Sequence, residues 1–390
     1  MSGKVLGFRF GAVSAGIRKD GRIDLALAVC DRPAVTAALF TRNLVKAAPV
    51  LVAAERASAG LSRAVLANSG CANAVTGEQG LRAARASTLA IAKALGISPE
   101  EVLPASTGVI GAHLPEEKIA AQATALAEKL SEDGYEDFAQ AICTTDRWVK
   151  IAKTEVEGAQ LLAIAKGAGM IHPDVGGAPH ATMLVFIFTD ARVEQPVLAR
   201  ALTQASDVTF NACSVDGDTS TNDTVIAMAS GASDRQPSEA ALTAALTKVC
   251  DELARSMVAD GEGANHVAEI KVLGLASREH AKQVAKTVAT SLLVKTALFG
   301  EDANWGRLLA AAGRAGVSFD PSRAAIAVGG IAIVKDGTPV GADAELAANK
   351  ILKQPSYTIE LRLGDGPGEF RYLTSDLGHG YVDVNAGYRS

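Results

Sequence analysis

The chain is poor in aromatic residues, in paired cysteines, in excess positive charge and in long apolar runs, and each shortage removes a class of function. Aromatics make up 4% of the 390 residues, too few for the stacking platforms that hold single-stranded nucleic acid. Lys and Arg number 38 against 43 Asp and Glu, a net charge of −5, so no basic field draws a polyanion or an anionic lipid surface. The five cysteines (Cys30, Cys71, Cys143, Cys213, Cys250) are odd in number, far apart and without a Cys-x-x-Cys pair. Neither a disulfide framework nor a zinc knuckle is expected, and a reducing compartment fits best. No stretch approaches the roughly 18 apolar residues of a membrane helix, and the N-terminus lacks the apolar core of a leader. The expectation is a cytoplasmic protein with neither nucleic-acid nor membrane partners.

What the chain does have is 48% apolar residues, with alanine and glycine abundant. Its length suits two or three folding units or one unusually large sandwich with an alanine-rich interior. The first hundred residues read as short strands and turns, with a hairpin tip at Lys19-Asp20-Gly21 and an apolar run Ala64–Ala67. Helical character follows over Leu81–Leu95, with Gly96 as C-cap, and Ser98-Pro99-Glu100-Glu101 has the form of a capping box opening a short helix. Apolar residues recur at helical spacing at Ile119, Ala123, Leu126 and Leu130, and again at Leu242, Leu246, Val249, Leu253 and Met257. Strand patterns occupy Met183–Thr189, Val267–Leu275, Ile326–Val328, Ile331–Val334, Thr358–Leu363 and Phe370–Leu373, and Pro173–Pro179 reads as a loop. This irregular alternation disfavours a TIM barrel or a doubly wound sheet, and points to an α/β (α+β) sandwich of packed sheets flanked by helices.

The candidate for chemistry is Thr182, which immediately precedes the strand pattern and lies shortly after Lys166-Gly-Ala-Gly-Met-Ile171. A threonine at such a place is ordinarily a strand residue. It becomes a nucleophile when a base takes its proton, and at a chain terminus its own α-amine, titrating near 7.7 to 8.0, is that base. Such chemistry needs the chain cut before Thr182.

Lys166–Ile171 followed by Ala181-Thr182-Met183-Leu184 resembles the signature of the ornithine acetyltransferase family. These are arginine-biosynthesis enzymes, among them bifunctional glutamate N-acetyltransferases, that cut themselves before this threonine. Further blocks resemble the family: Asn68–Asn73, Ser106–Gly111, Phe210–Asp223, Asp260–Ala264, Leu293–Ala297, Asp302–Arg307 and Asn385. The resemblance implies a fold of the self-processing N-terminal-nucleophile type shared with DmpA-like aminopeptidases. It also implies fragments 1–181 and 182–390, assembled as two copies of each (α2β2). Thr182 is then the nucleophile, Ala181-Thr182 the cleavage site, and Thr107 with Gly108 the oxyanion hole. Lys166, Glu262, Thr145, Asn385 and Ser390 are then substrate contacts, alongside Thr182 itself.

The implied reaction is a ping-pong transfer of acetyl from N-acetylornithine to glutamate with no cofactor, acetyl-CoA being a possible second donor. Two other outcomes stay open: an amidase or aminopeptidase using the same threonine, and an uncut binding protein. The chain departs from the family in a long loop, Asp174 to His180, in His180 before Ala181, in Arg147 after Asp146, and in Cys71 and Ala303. His172, Asp174 and His180 sit on a segment rich in Pro and Gly, where zinc would lack a further ligand and outer support, and no metal is expected. A calcium loop at Asp260–Gly263 is disfavoured by the absence of alternating oxygen ligands.

Overall fold

A computed structural model describes residues 4–173, 175–176 and 183–387. It divides into two compact units, one drawn from Met1–Asn211 and Asp218–Met257, the other from Ala212–Gly217 and Val258–Tyr388.

The first unit holds a nine-stranded mixed sheet. Its main path runs Val102–Ser106, Leu61–Asn68, Leu25–Thr41, Thr224–Ala229, Leu184–Thr189, Ala159–Lys166 and Lys150–Val156, and Phe8–Val13 and Val175–Gly176 both pair with the long strand Leu25–Thr41. Alternation along a strand decides which core each side chain enters. Leu25, Leu27 and Val29 go to one face with Ala64 and Leu66, while Ala26, Ala28 and Cys30 go to the other with Val65 and Ala67. Helices Gly77–Leu95 and Glu116–Glu128 supply Ile91, Ala92, Ile119 and Leu126 to the first core; Ala48–Ala57 and Tyr135–Ile142 supply Val50, Ala53, Phe138 and Ile142 to the second. The few aromatics are concentrated there: Phe138 meets Phe10, Phe186 and Phe188 edge to face, at centroid distances of 6.1, 5.4 and 6.4 Å.

The second unit carries a seven-stranded sheet, ordered Thr338–Pro339, Ile331–Lys335, Ala325–Val328, Ser356–Arg362, Val267–Leu275, Gly368–Ser375 and Cys213–Ser214. Helices Arg278–Ala289, Leu292–Phe299, Trp305–Gly313 and Ala342–Leu352 contribute Val284, Leu298, Leu308 and Leu352 to its core. The α/β class expected from the sequence is the one found, two mixed sheets flanked by helices.

Several local expectations change. The capping box at Ser98 forms, but Pro99–Glu101 is one 3₁₀ turn and not a helix, because Val102–Ser106 is drawn into the sheet and buried throughout. The early strands are not all short: Leu25–Thr41 has 17 residues. At the exposed Asp31-Arg32-Pro33 stretch the register shifts between Val29 and Ala34 and the strand continues. Proline is tolerated at such an irregularity because the ladder does not need its missing N–H there. The loop expected over Pro173–Pro179 contains a two-residue strand, Val175–Gly176, paired with Thr41 and Phe40; Asp174 and 177–179 lie outside the described residues.

Phe138→Ala removes the ring that joins three others, and unfolding should become easier by about 3–5 kcal/mol. A denaturant midpoint unchanged from wild type would contradict this packing.

Candidate active site

Strand ends Asn68 and Ser106 are register partners in a parallel pair, and the residues after each close on one another. The Asn68 carbonyl accepts from Thr107 N–H at 2.9 Å. Its side chain accepts from Ser106 Oγ at 2.6 Å and donates to the Cys71 carbonyl at 2.9 Å. Asn222 binds both turns together, its Nδ2 donating to the carbonyls of Ala72 at 2.6 Å and Ser106 at 2.8 Å. Gly108 has φ +129°, and a Cβ there would sit 2.4 Å from the Gly70 carbonyl carbon. Only glycine allows this approach.

These bonds decide which groups at Thr107 and Gly108 are available. The Thr107 N–H is committed to Asn68. Its hydroxyl oxygen accepts from Lys166 Nζ at 3.3 Å, which leaves the hydroxyl hydrogen for another acceptor. Among the described residues nothing accepts from Gly108 N–H. The donor pair is therefore one hydroxyl and one backbone amide, the type that stabilises a tetrahedral oxyanion.

Lys166 ends its strand as register partner of Leu184, two residues after Thr182. It is buried, and its ammonium donates to Thr144 Oγ1 at 2.8 Å and lies 3.9 Å from Asp146 Oδ2. Asp146 in turn accepts from Lys150 Nζ at 2.7 Å, Gly167 N–H at 2.7 Å and Thr144 N–H at 2.9 Å. Burial pushes its carboxyl up, but Lys166 and Lys150 with these hydrogen bonds outweigh that and hold it well below the usual carboxylate range. Thr144 thus faces Lys166, whereas Thr145, the expected substrate contact, is half-buried and has no hydrogen bond among the described residues.

In the second unit the expected contacts Glu262 and Asn385 come together: Asn385 Nδ2 donates to Glu262 Oε2 at 2.8 Å from the helix His379–Gly387. Gly263, with φ +71°, lets that helix approach; a Cβ there would sit 2.2 Å from Tyr381 N. Ala181, Thr182 and Ser390, like Asp174 and His180, lie outside the described residues. His172 is buried with its carbonyl accepting from Thr219 Oγ1 at 3.1 Å, and no metal-holding cluster occurs among the described residues.

Sequence reading assigned no role to Lys150, Asn222 or Asp223. Lys150 is four residues from Asp146, but that spacing signals an ion pair only on a helix, and here it spans a loop and a strand start. Asp223 was visible only as part of a block. It is fully buried, and burial lifts its carboxyl well above the usual range against the pull of Lys166. Neither of its oxygens has a hydrogen-bond partner among the described residues.

The family model described as the ArgJ family matches residues 9–390. The chain belongs to the ArgJ family. Two relatives called arginine biosynthesis bifunctional protein ArgJ are each 46% identical: that of Nitratidesulfovibrio vulgaris over 100% of both chains, and that of Desulfotalea psychrophila over 99% of this chain and 100% of its own. A crystal structure of the ArgJ protein of Bacillus halodurans is 39% identical with a TM-score of 0.50, covering 52% of this chain and 98% of that one. Family membership makes this chain an enzyme of the acyltransferase class.

Asp146→Asn leaves Lys150 and Lys166 buried without their carboxylate and should cost about 3–5 kcal/mol of stability. Because the folded carboxyl titrates below its unfolded value of about 3.9, its contribution is full above that pH and lost as pH falls through the folded value. The stability gap between wild type and the variant should therefore be flat near neutrality and shrink below about pH 4. A gap independent of pH in acid would contradict the assignment.

Proposed function

We propose that the chain is a glutamate N-acetyltransferase (ornithine acetyltransferase) that carries acetyl from N-acetylornithine to glutamate on the Thr182 hydroxyl, after cutting itself between Ala181 and Thr182. The observation that carries this reading is the convergence of the Thr107 hydroxyl, the Gly108 amide and the Lys166 ammonium at the end of the strand whose neighbour begins at Leu184. Family membership over residues 9–390 supports the substrate pair. The half-length match to the solved relative, 98% of that chain on 52% of this one, is the ratio expected of a single fragment.

In the first half-reaction the α-amine of Thr182 takes the hydroxyl proton as the oxygen attacks the acetyl carbonyl. Charge develops on the carbonyl oxygen, where the Thr107 hydroxyl and Gly108 amide donate to it, in the field of the buried Lys166. The C–N bond breaks, the proton passes from the ammonium to the departing amine, and ornithine leaves. Glutamate then attacks the threonine ester, its amine losing a proton to the same base, and N-acetylglutamate leaves. Thr145, Glu262, Asn385 and Ser390 are the proposed contacts that place the two amino acids. No cofactor enters these steps, and acetyl-CoA as a second donor would load the same ester. The working assembly is two copies of each fragment.

Intact-mass analysis should give two fragments, 1–181 and 182–390, and initial rates with both substrates varied should give parallel double-reciprocal lines. Uncut yet active protein, or acetate released from N-acetylornithine at the same rate without glutamate, would overturn the reading. Thr107→Val should lower kcat about a hundredfold to a thousandfold while KM moves little; an unchanged kcat would remove the hydroxyl from the oxyanion pair.

A further inference from the structure

Glu262 and Asn385, which the second unit brings together, stand on segments with little packing of their own. Glu262 sits in a turn closed by the Ala264 N–H to the Gly261 carbonyl at 2.9 Å, with Gly263 at a φ of +71° as its third residue. Asn385 belongs to the helix His379–Gly387, none of whose residues is buried. A turn tip and a short exposed helix fray unless they are tied down. What ties both is the chain between the strand Gly368–Ser375 and that helix, and its centre is Asp376.

The Asp376 side chain is buried and binds the chain just after Glu262. Its Oδ1 accepts from the Asn265 N–H at 2.8 Å and the His266 N–H at 2.9 Å, and its Oδ2 from Asn265 Nδ2 at 3.3 Å. The Asp376 N–H donates back to the His266 carbonyl at 3.3 Å. Lys295, also buried, fixes the peptide groups on either side of Asp376. Its ammonium donates to the Ser375 carbonyl, to Thr374 Oγ1 at 3.0 Å and to Ser375 Oγ at 3.2 Å, and its own carbonyl accepts from the Leu377 N–H at 3.1 Å. Burial pulls the pKa of this ammonium down to about 8, against Asp376 and Asp216, so it is charged at neutral pH. The aspartate thus ties the Glu262 turn, and the lysine ties the chain that leads into the Asn385 helix.

We propose that Asp376, clamped by Lys295, is a positioning residue for the amino-acid substrate, acting through Glu262, whose carboxylate it holds against Asn385. The inference rests on the reading of Glu262 and Asn385 as substrate contacts. Hydrogen bonds from N–H groups to a carboxylate are about twice as strong as neutral ones, and three of them on one buried side chain leave the Glu262 turn a single arrangement. Misplacing a contact group by about 1 Å can cost about a hundredfold. Loss of the anchor therefore appears in substrate affinity, while Thr107, Gly108 and Lys166, which belong to the first unit, keep their bonds.

Ornithine is the probe, its Kd measured by calorimetry on the full-length gene product beside kcat for acetyl transfer. Asp376→Ala should weaken ornithine binding about tenfold to a hundredfold, with kcat within about twofold of wild type. The double variant Asp376→Ala with Glu262→Gln should bind within about twofold of Glu262→Gln alone, because the anchor acts through that carboxylate. Losses that multiply, or a wild-type Kd in Asp376→Ala, overturn the proposal. Should alanine prevent folding, Asp376→Glu, which keeps the charge but sets the carboxylate one methylene further out, takes its place in the same cycle, and the same two outcomes overturn the proposal. Wild type that does not bind ornithine, or Glu262→Gln with wild-type affinity, removes the substrate-contact reading and this inference together. A weakened Glu262→Gln with either contrary result at Asp376 removes this inference alone.

Discussion

Two buried ammonium groups share one buried carboxylate, and the rest of the first unit's site is arranged around that imbalance. Asp146 accepts from Lys150 and from the Gly167 and Thr144 amides, and stands 3.9 Å from Lys166. Its position therefore fixes the turn after Lys166 and the segment that presents Thr144. Burial lifts the Asp223 carboxyl well above the usual range, so among the described residues Asp146 is the carboxylate held ionised beside the two lysines, in a region screened from water. An excess of positive charge is what a developing oxyanion requires, and in a dry site it acts at fuller strength than at a surface. The same imbalance makes the cluster vulnerable: removing Asp146 exposes the cost of two buried cations at once.

Close backbone approach is the second constraint, and it explains why small residues matter here. Gly108 lies against Gly70 with no room for a Cβ, and the two turns are joined by Asn68 and Asn222 through carbonyl and amide groups. The Thr107 N–H so engaged is unavailable to a substrate, whereas the Thr107 hydroxyl hydrogen and, among the described residues, the Gly108 N–H are uncommitted. A core rich in alanine, with aromatics gathered around Phe138, lets the flanking helices lie close to a sheet buried on both faces. Around these two turns the backbone is thus closely packed.

Much of this was legible in the sequence. Periodicity located the helices Gly77–Leu95, Glu116–Glu128 and Glu239–Ala259 to within a few residues, and the apolar runs of the second unit became strands. The resemblance in separate blocks pointed to Thr107, Gly108 and Lys166, which the fold brings together, and to Glu262 and Asn385, which it joins by a hydrogen bond. What was not legible depends on tertiary pairing. Ser98–Glu101 has every local mark of a helix start, yet the sheet claims the residues after it. Asp31-Arg32-Pro33 has the marks of a turn, yet the strand passes through. Asp146 and Asp223 look alike as acidic residues beside Thr, and only the positions of Lys150 and Lys166 make one an ion-paired anchor and the other a buried carboxyl without a hydrogen-bond partner among the described residues. Which threonine faces Lys166 likewise depended on the fold of the Cys143–Lys150 segment.

The central claim is that a threonine hydroxyl at the head of a cut chain carries the acetyl group, and trapping that ester tests it most directly. Enzyme mixed with acetyl-labelled N-acetylornithine, without glutamate, is quenched in acid, digested and mapped by mass spectrometry. The account requires the label on the hydroxyl of Thr182 in a peptide beginning at that residue, and its loss to N-acetylglutamate when glutamate is added before the quench. Active enzyme that acquires no label, or acquires it on a different residue, would contradict the account.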